Sequence, residues 1–156
     1  MHNIIELWNI LIDKTYIISL DNSIERRDKL DIELKRINLT NYEYILVKKD
    51  NKDTKRGCFN SHKQMCQYGI NNNYERILIL EDDAIFVEDL SKMKDLLLNT
   101  FNYISNNEFN IFFLGHLPMS KLNKISKNIV STRDSRFMHS YILSRNGMKD
   151  RKSTRL

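Results

Sequence analysis

A chain of 156 residues with 41% hydrophobic side chains, one proline and four glycines suits one domain with a buried core and leaves no room for two comfortable ones. That composition excludes a disordered or fibrous class. The net charge of +5 does not make a nucleic-acid binder: the last seven residues hold three basic side chains against one acid, and the body interleaves its charges instead of clustering them with aromatics.

The opening MHNIIELWNILID sets Ile4, Ile5, Trp8, Leu11 and Ile12 at helical spacing, which predicts a short helix docked on the domain. Glu6 inside its apolar part and the missing basic leader argue against a signal peptide. TYIISL (15–20) reads as a buried strand. IERRDKLDIELKRI follows as a helix with Leu30, Leu34 and Ile37 on one face, Asn22 as its cap and Glu25 completing a capping box. YEYILV (42–47) is a second strand, and the polar KKDNKDTKRG after it a loop. The next helix is expected to start at Asn60 or Ser61 and run to Gly69, with Phe59, Met65, Cys66 and Ile70 inward. Gly57 before it supplies a turn or a close approach, and Cys58 packs in the core. Cys58 and Cys66 form no CxxC or paired Cys/His motif, so free thiols in a reducing compartment are expected instead of a zinc site or a disulfide.

RILIL (76–80) is the third strand. Asp89 opens a helix on which Leu90, Met93, Leu97, Phe101 and Ile104 recur at three- and four-residue steps. NIFFLG (110–115) and HSYILS (139–144) are further strands. Alternating strands and helices, with strands apolar on both faces, specify an α/β layer with a mostly parallel sheet. No apolar run approaches the ~20 residues of a membrane span. Residues 1–149 are read as the domain and DRKSTRL (150–156) as a non-native tail, so that the natural protein is expected to continue past Lys149.

The stretch RILILEDDAIF sets Glu81, Asp82 and Asp83 directly against an apolar run. Ligands of a parallel α/β sheet bind outside the carboxyl ends of its strands, which is where this triplet falls. Side-chain alternation puts Glu81 and Asp83 on one face and Asp82 on the other. Two carboxylates ~7 Å apart on one face repel unless a cation lies near them. Oxygen ligands of this kind suit Mg²⁺ or Mn²⁺, which keep coordination positions for a diphosphate. Acids after a strand also serve as helix N-terminal charges, and Glu88 and Asp89 are expected to do so here.

The blocks YIISLDNSIERR, GCFNSHKQMCQYGI, ILILEDDAIF and HSYILSRNGM together resemble the family 25 glycosyltransferases, which include lipooligosaccharide galactosyltransferases and collagen hydroxylysine galactosyltransferases. Ser19 stands where that family usually has Asn, and Asn22 where a basic residue is common. The resemblance covers about residues 15–148 and implies a GT-A-like, Rossmann-type fold, incomplete at its C-terminus. It further implies inverting transfer of a sugar, galactose first, from a UDP-sugar donor to the hydroxyl of a glycan, lipooligosaccharide or hydroxylysine-type acceptor. Mn²⁺ (or Mg²⁺) would sit on Glu81 and Asp83, with Asp82 near the ribose or a water. Leu20, Asp21, Arg26, Arg27, Ser61 and His62 would complete the donor site. Each also has a plainer reading: Asp21 as a helix cap, Arg26 and Arg27 as surface salt bridges, Ser61 as an N-cap, His62 as a buried histidine. The general base is unassigned, with Asp134 a candidate; His116 and His139 could add a metal contact. An inactive nucleotide-sugar-binding relative is the alternative, and a cytoplasmic, membrane-associated setting is expected.

Overall fold

The computed structural model describes residues 2–133 and 135–153, except the side chains of residues 116, 117, 135–138 and 151–153. Asp134, the side chain of His116 and the end of the tail therefore lie outside the described residues. The elements run α1 (Ile4–Leu11), β1 (Lys14–Leu20), α2 (Ile24–Arg36), β2 (Tyr42–Val47), α3 (Thr54–Asn71), β3 (Arg76–Glu81), α4 (Leu90–Asn106), β4 (Ile111–Pro118), β5 (Asn123–Lys124), β6 (Val130–Ser131), β7 (Ser135–Ser144) and α5 (Arg145–Ser153).

Five strands form one sheet in the order β2-β1-β3-β7-β4. β1 pairs in parallel with β2 and β3, whereas β7 runs antiparallel between β3 and β4. The mostly parallel α/β expectation holds, with β7 as the reversed strand. β3 sits at the centre, and its Ile77, Leu78, Ile79 and Leu80 are at most 1% exposed. Alternation sends Leu78 and Leu80 into a core shared with Trp8, Leu11, Leu30, Leu34, Met93 and Leu97 from α1, α2 and α4. Ile77 and Ile79 join Met65, Cys66 and Met148 of α3 and α5 on the other face. A strand with both faces covered is continuously apolar, as its sequence is.

Helix starts explain the departures from the sequence reading. Asp89 caps α4 by accepting hydrogen bonds from the Ser91 and Lys92 amides, as expected. In α2, by contrast, the cap position is Ser23, not Asn22, and no side chain caps it. The turn is too tight for an Asn22 box: the Ser23 amide already donates to the Leu20 carbonyl at 3.0 Å. α3 begins at Thr54, well before the expected Asn60 or Ser61, because Asp53 caps it by accepting from the Arg56 amide at 3.0 Å. Gly57 is therefore helical, and its role is close approach: a Cβ there would lie 2.8 Å from the Asp50 Cβ. The short β5–β6 ladder, Asn123 opposite Ser131, has no counterpart in the sequence reading.

Candidate active site

The three acids stand where β3 leaves the sheet. Leu80 is the last fully buried residue, and the chain then turns, the Ala84 amide donating to the Glu81 carbonyl at 3.1 Å. That turn separates the carboxylates by environment. Asp82 is 8% exposed and fully engaged: its Oδ2 accepts from the Ser19 hydroxyl at 2.7 Å and its Oδ1 from the Arg26 guanidinium at 3.2 Å. A buried carboxylate needs such partners, since an unpaired one is costly in low dielectric. Asp82 is thus a strut between β3, β1 and α2.

Glu81 and Asp83 instead converge with His139 of β7. One donor atom from each of the three lies within 4.8 Å of the others, and His139 Nδ1 is 3.3 Å from Glu81 Oε2. Burial pushes the Glu81 carboxyl above the usual carboxylate range, although His139 pulls the other way. Asp83 and His139 have half-exposed side chains, and Arg26 reaches Asp83 Oδ2 at 3.5 Å. Hydrogen bonding to Asp82, then the charges of Asp82 and Asp83, holds the Arg26 guanidinium above its ordinary range.

Two pockets flank this turn. A polar one of about 220 Å³ is lined by Ser19, Leu20, Arg26, Lys48, Asp50, Ser61, His62, Glu81 and Asp82, among others. A largely apolar one of about 810 Å³ has Asp83, Ala84 and His139 in its lining, with α4, β4 and residues from 125–132. Glu81 and Asp82 face the first, Asp83 and His139 the second. In the wall of the larger pocket, Ser140 carries a buried hydroxyl without a hydrogen-bond partner among the described residues.

Of the other sequence-predicted donor residues, Leu20, Arg26, Ser61 and His62 line the polar pocket. Asp21 is exposed, outside that lining, and does not cap α2. Arg27 is spent on structure, donating to the Ser19 hydroxyl and to the Leu20 and Asp21 carbonyls at 2.6–3.1 Å. Ser61 and His62 do not open a helix, because α3 starts about two turns earlier, at Thr54. The Ser61 hydroxyl donates back to the Gly57 carbonyl at 3.0 Å, so neither an N-cap nor an N-terminal anion site exists there. His62 is buried as its plainer reading had it, its Nδ1 hydrogen-bonded to the Tyr141 hydroxyl and its ring stacked on that phenol. It nonetheless faces the acids, Nε2 lying 3.9 Å from Glu81 Oε1. Cys58 is exposed, not core: one helical turn before His62, it follows that residue toward the sheet end. Burial and then the Glu81 charge raise its thiol pKa.

Sequence reasoning missed three participants. Ser19, noted only as a departure from the family pattern, orients Asp82. Tyr141 orients His62 from 79 residues away, a link no local pattern carries. The Cys58–His62 spacing of one helical turn was a readable signal, hidden by the late helix start.

Residues 42–151 match the family model described as Glycosyltransferase family 25 (LPS biosynthesis protein). The match takes in the GCFNSHKQMCQYGI, ILILEDDAIF and HSYILSRNGM blocks, while YIISLDNSIERR lies ahead of it. A comparison with curated proteins finds no match. No helix among the described residues is long and apolar enough to cross a membrane.

Proposed function

The chain belongs to glycosyltransferase family 25, and on that premise we propose that it moves a sugar, galactose first, from a UDP-sugar to an acceptor hydroxyl with inversion, dependent on Mn²⁺ or Mg²⁺. One observation supports this above all: donor atoms of Glu81, Asp83 and His139 gather within 4.8 Å at the carboxyl end of the central strand, on the divide between two pockets. Two carboxylates and an imidazole suit Mn²⁺, which accepts oxygen and nitrogen ligands together.

Such an ion, when bound, supplies Lewis-acid neutralisation of charge on the departing diphosphate. The chain's own groups do the rest. Arg26, exposed at the rim and already bridging Asp82 and Asp83, can turn one donor toward a diphosphate oxygen while the other holds Asp82. Ser19 and Arg27 fix the β1 end against which that group would lie. At about 220 Å³ the polar pocket falls below the ~300–1,000 Å³ of typical small-molecule sites. It therefore suits the diphosphate and its near neighbours, not a whole nucleotide sugar. The larger pocket, whose lining includes Asp83 and His139, is then the side for the acceptor.

Thermal melting with UDP and Mn²⁺ tests the reading. Stabilisation should require both and disappear in Asp83→Ala, and UDP should be released from a UDP-sugar when acceptor is supplied. Stabilisation with no release from any UDP-sugar would mark a binding module instead, and melting indifferent to metal would sink the proposal.

A further inference from the structure

Cys58 and His62 project from one face of α3, four residues apart, toward the end of β3. One donor atom each from Cys58, His62 and Glu81 lies within 4.8 Å of the others. This sulfur–nitrogen–oxygen set is chemically unlike the Glu81–Asp83–His139 set on the other side of the turn. Thiolate and imidazole select borderline-soft ions, whereas carboxylates with one imidazole suit harder ones.

We propose that Cys58, His62 and Glu81 form a second cation site, specific for a thiophilic divalent ion such as Zn²⁺, Cd²⁺ or Co²⁺. Three protein ligands with a fourth position open to solvent is the arrangement of open zinc sites, as opposed to closed structural ones. Bond lengths of about 2.0–2.3 Å put tetrahedral ligands roughly 3.3–3.8 Å apart. His62 Nε2 and Glu81 Oε1 stand 3.9 Å apart, so closing the cluster on an ion takes a shift of a few tenths of an ångström at Glu81 together with a side-chain rotation at the exposed Cys58. His62 is already aimed: its Nδ1 pairs with the buried Tyr141 hydroxyl, which turns Nε2 toward Glu81. A metal-binding histidine is held in this way by a partner on its other ring nitrogen, and the bound tautomer would place the proton on Nδ1.

Because Glu81 belongs to both sets, the two sites compete. A thiophilic ion drawing Glu81 toward Cys58 takes a carboxylate from the Asp83 side, so such ions would inhibit by displacement. Binding stands apart from the sugar-transfer reading; only this competition rests on it.

The test is a Cd²⁺ titration of the reduced full chain, followed by the ultraviolet thiolate-to-metal charge-transfer band. The band should saturate at about one equivalent, vanish in Cys58→Ser, persist in Asp83→Ala, and need roughly tenfold or more Cd²⁺ in Tyr141→Phe. Excess Mn²⁺ should shift the wild-type midpoint upward, and shift it less in Asp83→Ala. A missing band, or one that survives Cys58→Ser, overturns the site. A midpoint unmoved by Mn²⁺ that does bind, as read by melting with UDP, overturns the shared carboxylate. If Mn²⁺ fails to bind at all while the Cd²⁺ band appears, the sugar-transfer reading falls and the second site stands.

Discussion

The two sides of the acidic turn are built from different materials. On the polar side nearly every charged or hydroxyl group is committed to a protein partner: Ser19 and Arg26 to Asp82, Arg27 to the β1 end, His62 to Tyr141. The apolar side is nearly four times larger, and its wall includes a buried hydroxyl, that of Ser140, with no partner among the described residues. A cross-linked wall holds a fixed shape against a compact, highly charged group, since preorganised dipoles cost no rearrangement when charge arrives. A wide apolar wall discriminates weakly by hydrogen bonds and mostly by shape and area. Precision thus lies on the side assigned to the diphosphate, and latitude on the side assigned to the acceptor.

That contrast can be tested one wall at a time. The largest effect is expected at the divide itself: Asp83→Ala should reduce sugar transfer by ~100- to 1,000-fold, read as UDP release, with the fold kept because its side chain is half exposed. Next comes the polar wall, where Ser19→Ala leaves the buried Asp82 short of a partner. A loss of about 1–3 kcal/mol in urea stability is expected, and an unchanged midpoint would mean that the wall is not cross-linked as described. Arg36 acts on the other side. It is clamped by both Glu33 oxygens and donates to the Val87 and Glu88 carbonyls at 3.0–3.1 Å, pinning the segment that borders the apolar pocket. Arg36→Ala should lower the urea midpoint by less than Ser19→Ala does and speed amide exchange over residues 84–88 while leaving 17–20 protected. The smallest effect is its pH dependence. Hydrogen bonds from Arg36 hold the Glu33 carboxyl below its usual range, so this clamp stabilises the chain above the ordinary glutamate pKa and fades as pH falls through the lower folded value. The pair is partly exposed, so the Arg36→Ala drop in urea midpoint should shrink only slightly in acid.

How far the sequence carried depended on whether a feature is local. Tyr42–Val47 emerges with the bounds its apolar and aromatic run predicts, and α4 begins at its Asp89 cap, because both signals lie within a few residues. The acidic triplet stood out for the same reason, charge abutting an apolar strand. The start of α3 was misread because Gly57 looked like a boundary, whereas the cap sat inside the polar run at Asp53. That error moved Ser61 and His62 to a helix terminus they do not occupy. The direction of β7 was not readable, since a strand buried on both faces is apolar whichever way it runs. Contacts between distant segments, Ser19 with Asp82 and His62 with Tyr141, follow from sheet register and have no local mark.

β7 lies between β3 and β4 in space but follows both in the chain. During synthesis the central strand therefore leaves the ribosome with one edge unsatisfied, and it waits for a partner some sixty residues downstream, Leu78 for Ile142. His139 travels on that late-arriving strand, so Glu81 meets its imidazole only when the sheet closes. A nascent or damaged chain that has not yet inserted β7 would lack the third member of the Glu81–Asp83–His139 cluster, so the proposed chemistry would wait on the completion of folding.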